Sequence, residues 1–254
     1  MAEPFIKRRE PAPPGSIPDV LQMFANEVRF YREIAPAVGI RVPQCLQAEE
    51  NRGATLLVLE NLSEWEPGAD PLEAARLLAG MHARWQGEAG ERWSWLRPPE
   101  AASDLVGDLF DATWPAVTGR PECTSTARDL GERLVGRIPA VERLASQAGP
   151  ETLVHGDASM RNMRTSGTGE IALLDWEDVG TAPGVCDLAW LLVSSVEPSR
   201  WGDTVAAYGD STGLSAALPA ATAQAFFSLS DAPPDSAEAV AWVQRIEEAS
   251  RRVN

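Results

Sequence analysis

Two apolar strands that end in polar residues set what this chain can become. Leu153-Val154 runs into His155-Gly156-Asp157-Ala158-Ser159-Met160-Arg161-Asn162, and Ile171-Ala172-Leu173-Leu174 runs into Asp175-Trp176-Glu177. Between them Ser166-Gly167-Thr168-Gly169 has the composition of a tight turn. Residues 163–165 and 171–174 therefore predict a short hairpin. Its pairing sets Asn162 opposite Asp175, at the open end beside the loop that carries Asp157. Two carboxylates and a carboxamide oxygen converge there. Hard oxygen donors of this kind suit Mg²⁺ with bound phosphates.

The rest of the chain reads as an α+β protein. Residues 4–8 predict a strand, and Pro11 to Gly15 a loop. Asp19, with Gln22 three residues on, predicts a capped helix running to about Val38. Residues 42–49 and 54–60 predict strands joined by a turn at Asn51-Arg52-Gly53. Helical spacing of Leu72, Ala75, Leu78, Ala79 and His82 predicts a helix over 71–85. Residues 100–148 read as helical with a break near Gly119 to Pro121, residues 152–154 as a strand, and the chain from Gly184 onward as helices broken near 209–213 and 232–234. A strand-rich part at 1–61 thus precedes a larger helical part at 62–254. Such an arrangement leaves a cleft between the two, a usual place for a ligand.

Composition removes several classes of function. The formal net charge is −15 and the only basic run is Lys7-Arg8-Arg9, so a nucleic-acid partner is not expected. The acidity serves solubility first, and tilts a small-molecule partner toward a cation. Cys45, Cys123 and Cys186 are widely spaced, which suggests neither a zinc site nor a disulfide framework. No signal peptide or transmembrane run is evident, so a cytoplasmic protein without a membrane partner is expected. The oligomeric state is not readable.

The spacing Asp157-x-x-x-x-Asn162 is that of the kinase catalytic loop, and Asp175 stands where kinases carry a metal-binding aspartate. His155-Gly156-Asp157, Asn162 and Leu173-Leu174-Asp175-Trp176-Glu177 together resemble the aminoglycoside phosphotransferase family, which is itself similar to choline kinases and other small-molecule kinases. Gly184 to Leu192 resembles the helix that follows in that family, and Leu77 to Ala83 its Leu-Ala-x-Leu-His helix. The resemblance implies a protein-kinase-like fold of two lobes. It implies Asp157 as the catalytic residue, Asn162 and Asp175 as Mg²⁺ ligands, and ATP or GTP as cofactor. Lys7 then resembles the lysine that contacts the nucleotide phosphates. Its partner should be a glutamate on the next helix. Phe24, Glu27, Tyr31 and Ile34 share one face and Glu33 points away, so Glu27 is chosen. The end of the 54–60 strand resembles the family's hinge, where backbone groups of Glu60 and Leu62 would meet the base.

Other residues receive structural readings. Asp187 resembles a family aspartate that ties down the catalytic loop, and His155 is expected to hydrogen-bond within it. His82 is expected to pack within its helix, and Trp176 to wall the cleft. Glu177 and Asp178 are open between helping at the site and lying in a solvated loop.

The sequence departs from the family at its start. Six residues precede Lys7 and none is glycine, so the strands and phosphate-covering glycine loop that the resemblance implies have no counterpart. A late start, a truncation and a degenerate member all stay open. The expected function is transfer of a γ-phosphate to a hydroxyl of a small molecule, aminoglycoside-like or another alcohol. The alternative is a non-catalytic kinase-like remnant. A metal-dependent hydrolase built on His155, Asp157, Asp175 and Asp178 ranks below both, because the chain has only two histidines.

Overall fold

The structure is a computed structural model that describes residues 3–253, and of Pro99 the backbone alone. Residues 1, 2 and 254, at the ends of the two parts expected above, lie outside the described residues.

Strands β1 (Phe5–Arg9), β2 (Cys45–Asn51) and β3 (Ala54–Leu59) form an antiparallel sheet in the order β1-β3-β2. The β2–β3 hairpin closes on Arg52 and Gly53, with φ of 52° and 84°. Two successive positive φ values match the twist of a two-residue hairpin, and glycine takes the second without cost. Alternation along β3 buries Thr55, Leu57 and Leu59 and leaves Leu56 and Val58 half-buried. Lys7 is paired with Leu57 and so shares that inner face. β2 begins at Cys45, three residues later than the sequence suggested. Arg41 is instead bridged to Ala172, its carbonyl accepting from Leu173 N at 3.0 Å, and this ties the small sheet to the helical part.

The single helix expected over 19–38 is broken. α1 (Ile17–Val20) is one turn long, and Asp19 lies inside it, accepting from Gly15 N at 2.8 Å in place of capping the start. Gln22 then turns left-handed at φ 55° before α2 (Met23–Arg29). α2 runs on into a wider π-turn at Phe30–Ile34, which carries Phe30, Tyr31 and Ile34 together into the core.

α3 (Pro71–Trp85) starts as its sequence dictates, with Asp70 accepting from Leu72 N at 2.9 Å and proline in its first turn. After the one-turn α4 (Ala89–Arg92) come helices α5 (Ser103–Thr118), α6 (Ser125–Leu134) and α7 (Ile138–Ser146), of which α5 and α7 pack on each other. A break at 135–137, with Gly136 at φ 66°, divides what the sequence suggested was continuous. β5 (Glu151–Val154) leads to the catalytic-type loop, and β6 (Met163–Thr165) and β7 (Ile171–Leu173) form the expected hairpin. Two short strands were not foreseen. β4 (Glu66–Pro67) pairs with β6, and β8 (Gly180–Pro183) with β5.

α8 (Val185–Ser195) is the centre of the helical part, buried almost all round. It is packed by α3, α9 (Trp201–Tyr208), α10 (Leu214–Asp231) and α11 (Ala237–Val253). Among the described residues no helix is long and apolar enough to cross a membrane.

Trp114 on α5 reaches across to Gly131 on α6, and any Cβ there would overlap the indole ring. Gly131→Ala is expected to cost about 2 kcal/mol or more, because a full core does not yield to an added methyl. Urea denaturation measures this, and unchanged stability would contradict the packing described.

Candidate active site

Asp187 sits in the first turn of α8 with its carboxylate buried. One oxygen accepts from His155 N at 2.8 Å and lies 3.1 Å from His82 Nε2, and the other accepts from Gly156 N at 2.9 Å. Burial pushes its pKa up, but the hydrogen bond and charge of His82 and the bond from His155 N outweigh burial and hold it below the usual value. His82 in turn meets the Tyr208 hydroxyl at 2.9 Å, so α3, α8 and α9 all anchor the loop. Gly156 has φ 84°, and a side chain there would run into the Asp178 backbone. Only glycine fits.

His155 is buried and satisfied at both nitrogens. Nε2 meets the Leu174 carbonyl at 2.8 Å and Nδ1 accepts from Asp157 N at 3.1 Å. These bonds define a neutral ring with its proton on Nε2. The Asp157 carboxylate is then held from both sides. Asn162 Nδ2 donates to Oδ2 at 2.9 Å, and Trp190 Nε1 donates to Oδ1. Trp190 was not singled out from the sequence, although it stands three residues after Asp187 on the same helix and thus on the same face. Ser195, farther along that helix, accepts from Met160 N at 2.9 Å and was likewise missed.

The β6–β7 hairpin differs from expectation by one residue. Met163 pairs with Leu173, and Asn162 accepts from Leu174 N at 2.8 Å, so Asn162 opposes Leu174 and not Asp175. The loop holds three residues, with Gly169 at φ 86° taking the extra one. Asp175 lies just beyond, itself left-handed at φ 60°. For a residue with a side chain that is a costly conformation, found where the surroundings impose it. Trp176 supplies the constraint. It is fully buried, stacked on Phe30 at 4.0 Å and tilted against His155 at 4.5 Å. It is therefore a core anchor and not a wall of the cleft.

Lys7 Nζ lies 2.7 Å from Glu27, 2.6 Å from Asp175 and 3.4 Å from Glu177. Burial lowers its pKa, but Glu27 and Asp175 outweigh burial and raise it above the ordinary lysine value. Glu33 is far from this cluster and accepts from Trp95 Nε1 at 2.8 Å. Asp178 is pushed up to about 7 by burial and by Asp157, Glu177 and Asp175.

Two cavities flank this machinery. The first, of 580 Å³, is lined by Lys7, Glu27, Glu60, Leu62, Asn162 and Asp175 among others. The Glu60 side chain is taken by Arg41, at 2.6 Å to each oxygen, and its N–H by Gln44 O at 2.8 Å. Among the described residues the Glu60 carbonyl and the Leu62 N–H have no hydrogen-bond partner. The second cavity, of 430 Å³, is lined by Gly156, Asp178, Trp190 and residues of α5, α7 and α10.

The donor set fits a hard divalent cation. Asn162 spends its amide N–H groups on Asp157, which leaves its carbonyl oxygen unspent beside Asp175 in the first cavity. The carboxylates of Glu27, Asp175 and Glu177 also offer oxygens within 4.8 Å of one another.

Comparison with known proteins places this geometry. The profile of the phosphotransferase enzyme family matches residues 5–224, and the chain belongs to that family. Among solved structures it is similar to an aminoglycoside phosphotransferase from Streptomyces rimosus in complex with ADP and streptomycin, at a TM-score of 0.59 and 17% identity over 86% of this chain and 85% of that one. A choline kinase from Streptococcus pneumoniae matches at a TM-score of 0.52 and 13% identity, over 91% and 80% of the two chains. A spectinomycin phosphotransferase in complex with ADP and spectinomycin matches at 0.53 and 13%, over 98% and 85%. At these identities the likeness is one of fold. No curated protein sequence matches.

Asp187→Ala would leave two buried backbone N–H groups and His82 without an acceptor. A stability loss of about 3 kcal/mol or more is expected in urea denaturation at neutral pH. Because the folded pKa is depressed, this contribution is present above the unfolded value of 3.8 and is lost as the pH falls through the lower folded value. A loss under about 1 kcal/mol would contradict the role assigned to Asp187.

Proposed function

We propose that this chain transfers the γ-phosphate of a nucleoside triphosphate, ATP before GTP, to the hydroxyl of a small molecule. The observation that carries the reading is the fixed Asp157 carboxylate, held by Asn162 from the lining of one cavity and by Trp190 from the lining of the other, with the Lys7–Glu27–Asp175 ion cluster at the first. In this reading the strand-rich part up to residue 61 and the helical part from residue 62 divide the work. The first holds the nucleotide and the second holds the acceptor.

The base of the nucleotide would use the unpartnered Glu60 carbonyl and Leu62 N–H. Lys7, aligned by Glu27, would neutralise phosphate charge. Asn162 and Asp175 would hold Mg²⁺, which supplies charge neutralisation and alignment of the phosphates when bound. The acceptor hydroxyl would approach Asp157, whose carboxylate orients it and takes its proton as the new P–O bond forms. The bond from the γ-phosphorus to the nucleoside diphosphate breaks in the same displacement. Catalysis of this kind is mostly placement and charge neutralisation. A cationic acceptor agrees with the second cavity, where Glu142, Glu177, Asp178 and Asp187 face only Arg97. A non-catalytic remnant gains no support, since nothing in a pure binder requires Asp157 to be held by both Trp190 and Asn162.

Asp157→Ala is expected to lower phosphate transfer from radiolabelled ATP, to an acceptor or to water, by about 100-fold or more. Trp190→Phe keeps the ring and removes the N–H. It is expected to lower kcat by about 10-fold while the KM for the nucleotide stays put. Full turnover in Asp157→Ala would overturn the proposal.

A further inference from the structure

The second cavity carries more information than its position. Its walls are mostly apolar, with Leu21, Val106, Val179, Ala217, Ala221 and Phe227 among them. Into this surface project polar atoms that are left without partners. Asn26 on α2 is 5% exposed, and its Oδ1 is buried with no hydrogen-bond partner while Nδ2 is spent on the Leu21 carbonyl. Glu142 on α7 lines the same cavity, and its Oε2 is buried and unpartnered. Glu100, close enough to Glu142 to raise its pKa, also has an unpartnered buried Oε2. Both atoms named on Asn26 and Glu142 are acceptors, as is that of Glu100.

Among the described residues no cation pairs with the two glutamates. Arg97 borders the cavity, but its guanidinium donates to the Val20 carbonyl at 2.7 Å. The other titratable groups lining the cavity are Glu177, Asp178, Cys186 and Asp187, and none of these is a cation. Cys186, on α8 beside Glu100, is a thiol pushed up to about 12 by burial and by Asp187 and Glu100. Burial and the neighbouring Glu100 push Glu142 up to about 7. Unsatisfied buried acceptors are costly, and a protein retains them where a ligand supplies the donor.

We propose that the acceptor is an alcohol with a largely apolar skeleton and one protonated amine, and that Glu142, backed by Glu100, receives the amine. This rests on the phosphotransferase reading and narrows it. The apolar walls match the skeleton, and Asn26 Oδ1 takes a hydroxyl or N–H from the side of α2 and the catalytic loop. A polyhydroxylated polycation fits poorly, because its hydroxyls would be stripped of water against Val106, Ala221 and Phe227 with nothing to bond.

The test is titration calorimetry on the full chain without nucleotide, using 4-(2-aminoethyl)cyclohexanol and its neutral counterpart 4-ethylcyclohexanol. At about pH 8 the amine is expected to bind about 10-fold or more tightly than the neutral alcohol, the order of one charge-assisted hydrogen bond. The preference should shrink toward about pH 6, where Glu142 is protonated and can no longer pair with the ammonium. In Glu142→Gln it should fall to about 2-fold at pH 8, and any pH dependence left over is that of Asp178, which lines the same cavity and titrates at about 7. Equal binding of the two alcohols, no binding of the amine at millimolar concentration, or an unchanged preference in Glu142→Gln would each overturn the proposal. Mg–ADP titrated into the same samples separates the two readings. Nucleotide binding without amine preference removes this inference alone, and amine preference without nucleotide binding overturns the phosphotransfer reading and with it the amine's role as acceptor, leaving only an amine-binding cavity.

Discussion

One buried carboxylate organises the site. Asp187 accepts hydrogen bonds from consecutive backbone N–H groups of the catalytic-type loop, so the loop conformation is set from α8 and not by its own turn propensity. Everything downstream inherits that register. His155 is turned so that one nitrogen reaches Leu174 and the other Asp157 N. Trp190, one helical turn beyond Asp187, reaches Asp157 itself. A charge this deep is tolerable only because every hydrogen bond it needs is present. The arrangement exchanges solvation for rigidity, which is what placement of a reacting hydroxyl demands.

The second constraint is the aromatic pile that joins the two parts. Trp176 stacks on Phe30 and leans on His155, so the π-turn after α2 and the loop that follows β5 share one contact surface. This fixes the strained Asp175 beside Lys7, and α2 delivers Glu27 from the other side. The ammonium at the centre of these acids holds together carboxylates that would otherwise repel. Arg41 adds a separate tie, pairing with Glu60 while its backbone bridges to β7.

How much of this could be read from the sequence depends on how local each cause is. The hairpins and α3 follow from turn residues, alternation and a cap. The spacing of Phe24, Glu27 and Tyr31 puts Glu27 on the inward face, where Lys7 lies. The one-residue difference between Asn162 and Asp175 is one of loop length, because the hairpin closes on the three residues 167–169 with Gly169 left-handed. The broken helix around Gln22 was hidden because nothing in its propensity demands a left-handed residue. Trp176 read as a cleft wall because adjacency to Asp175 was taken for proximity, while the chain has left β7, Asp175 is left-handed, and Trp176 stacks on Phe30 in the core. Trp190 and Ser195 were readable as helical neighbours of Asp187. Glu142 and Asn26 were not, since their significance is the lack of a partner, a property only the folded chain has.

The most direct test of the whole account is the melting temperature with and without Mg–ADP, on the wild type and on Asp175→Asn. A ligand that binds only the folded state raises the midpoint. The account predicts a rise that requires magnesium and disappears in Asp175→Asn. A folded wild-type protein whose midpoint does not move, or a rise that is the same in Asp175→Asn, would contradict it.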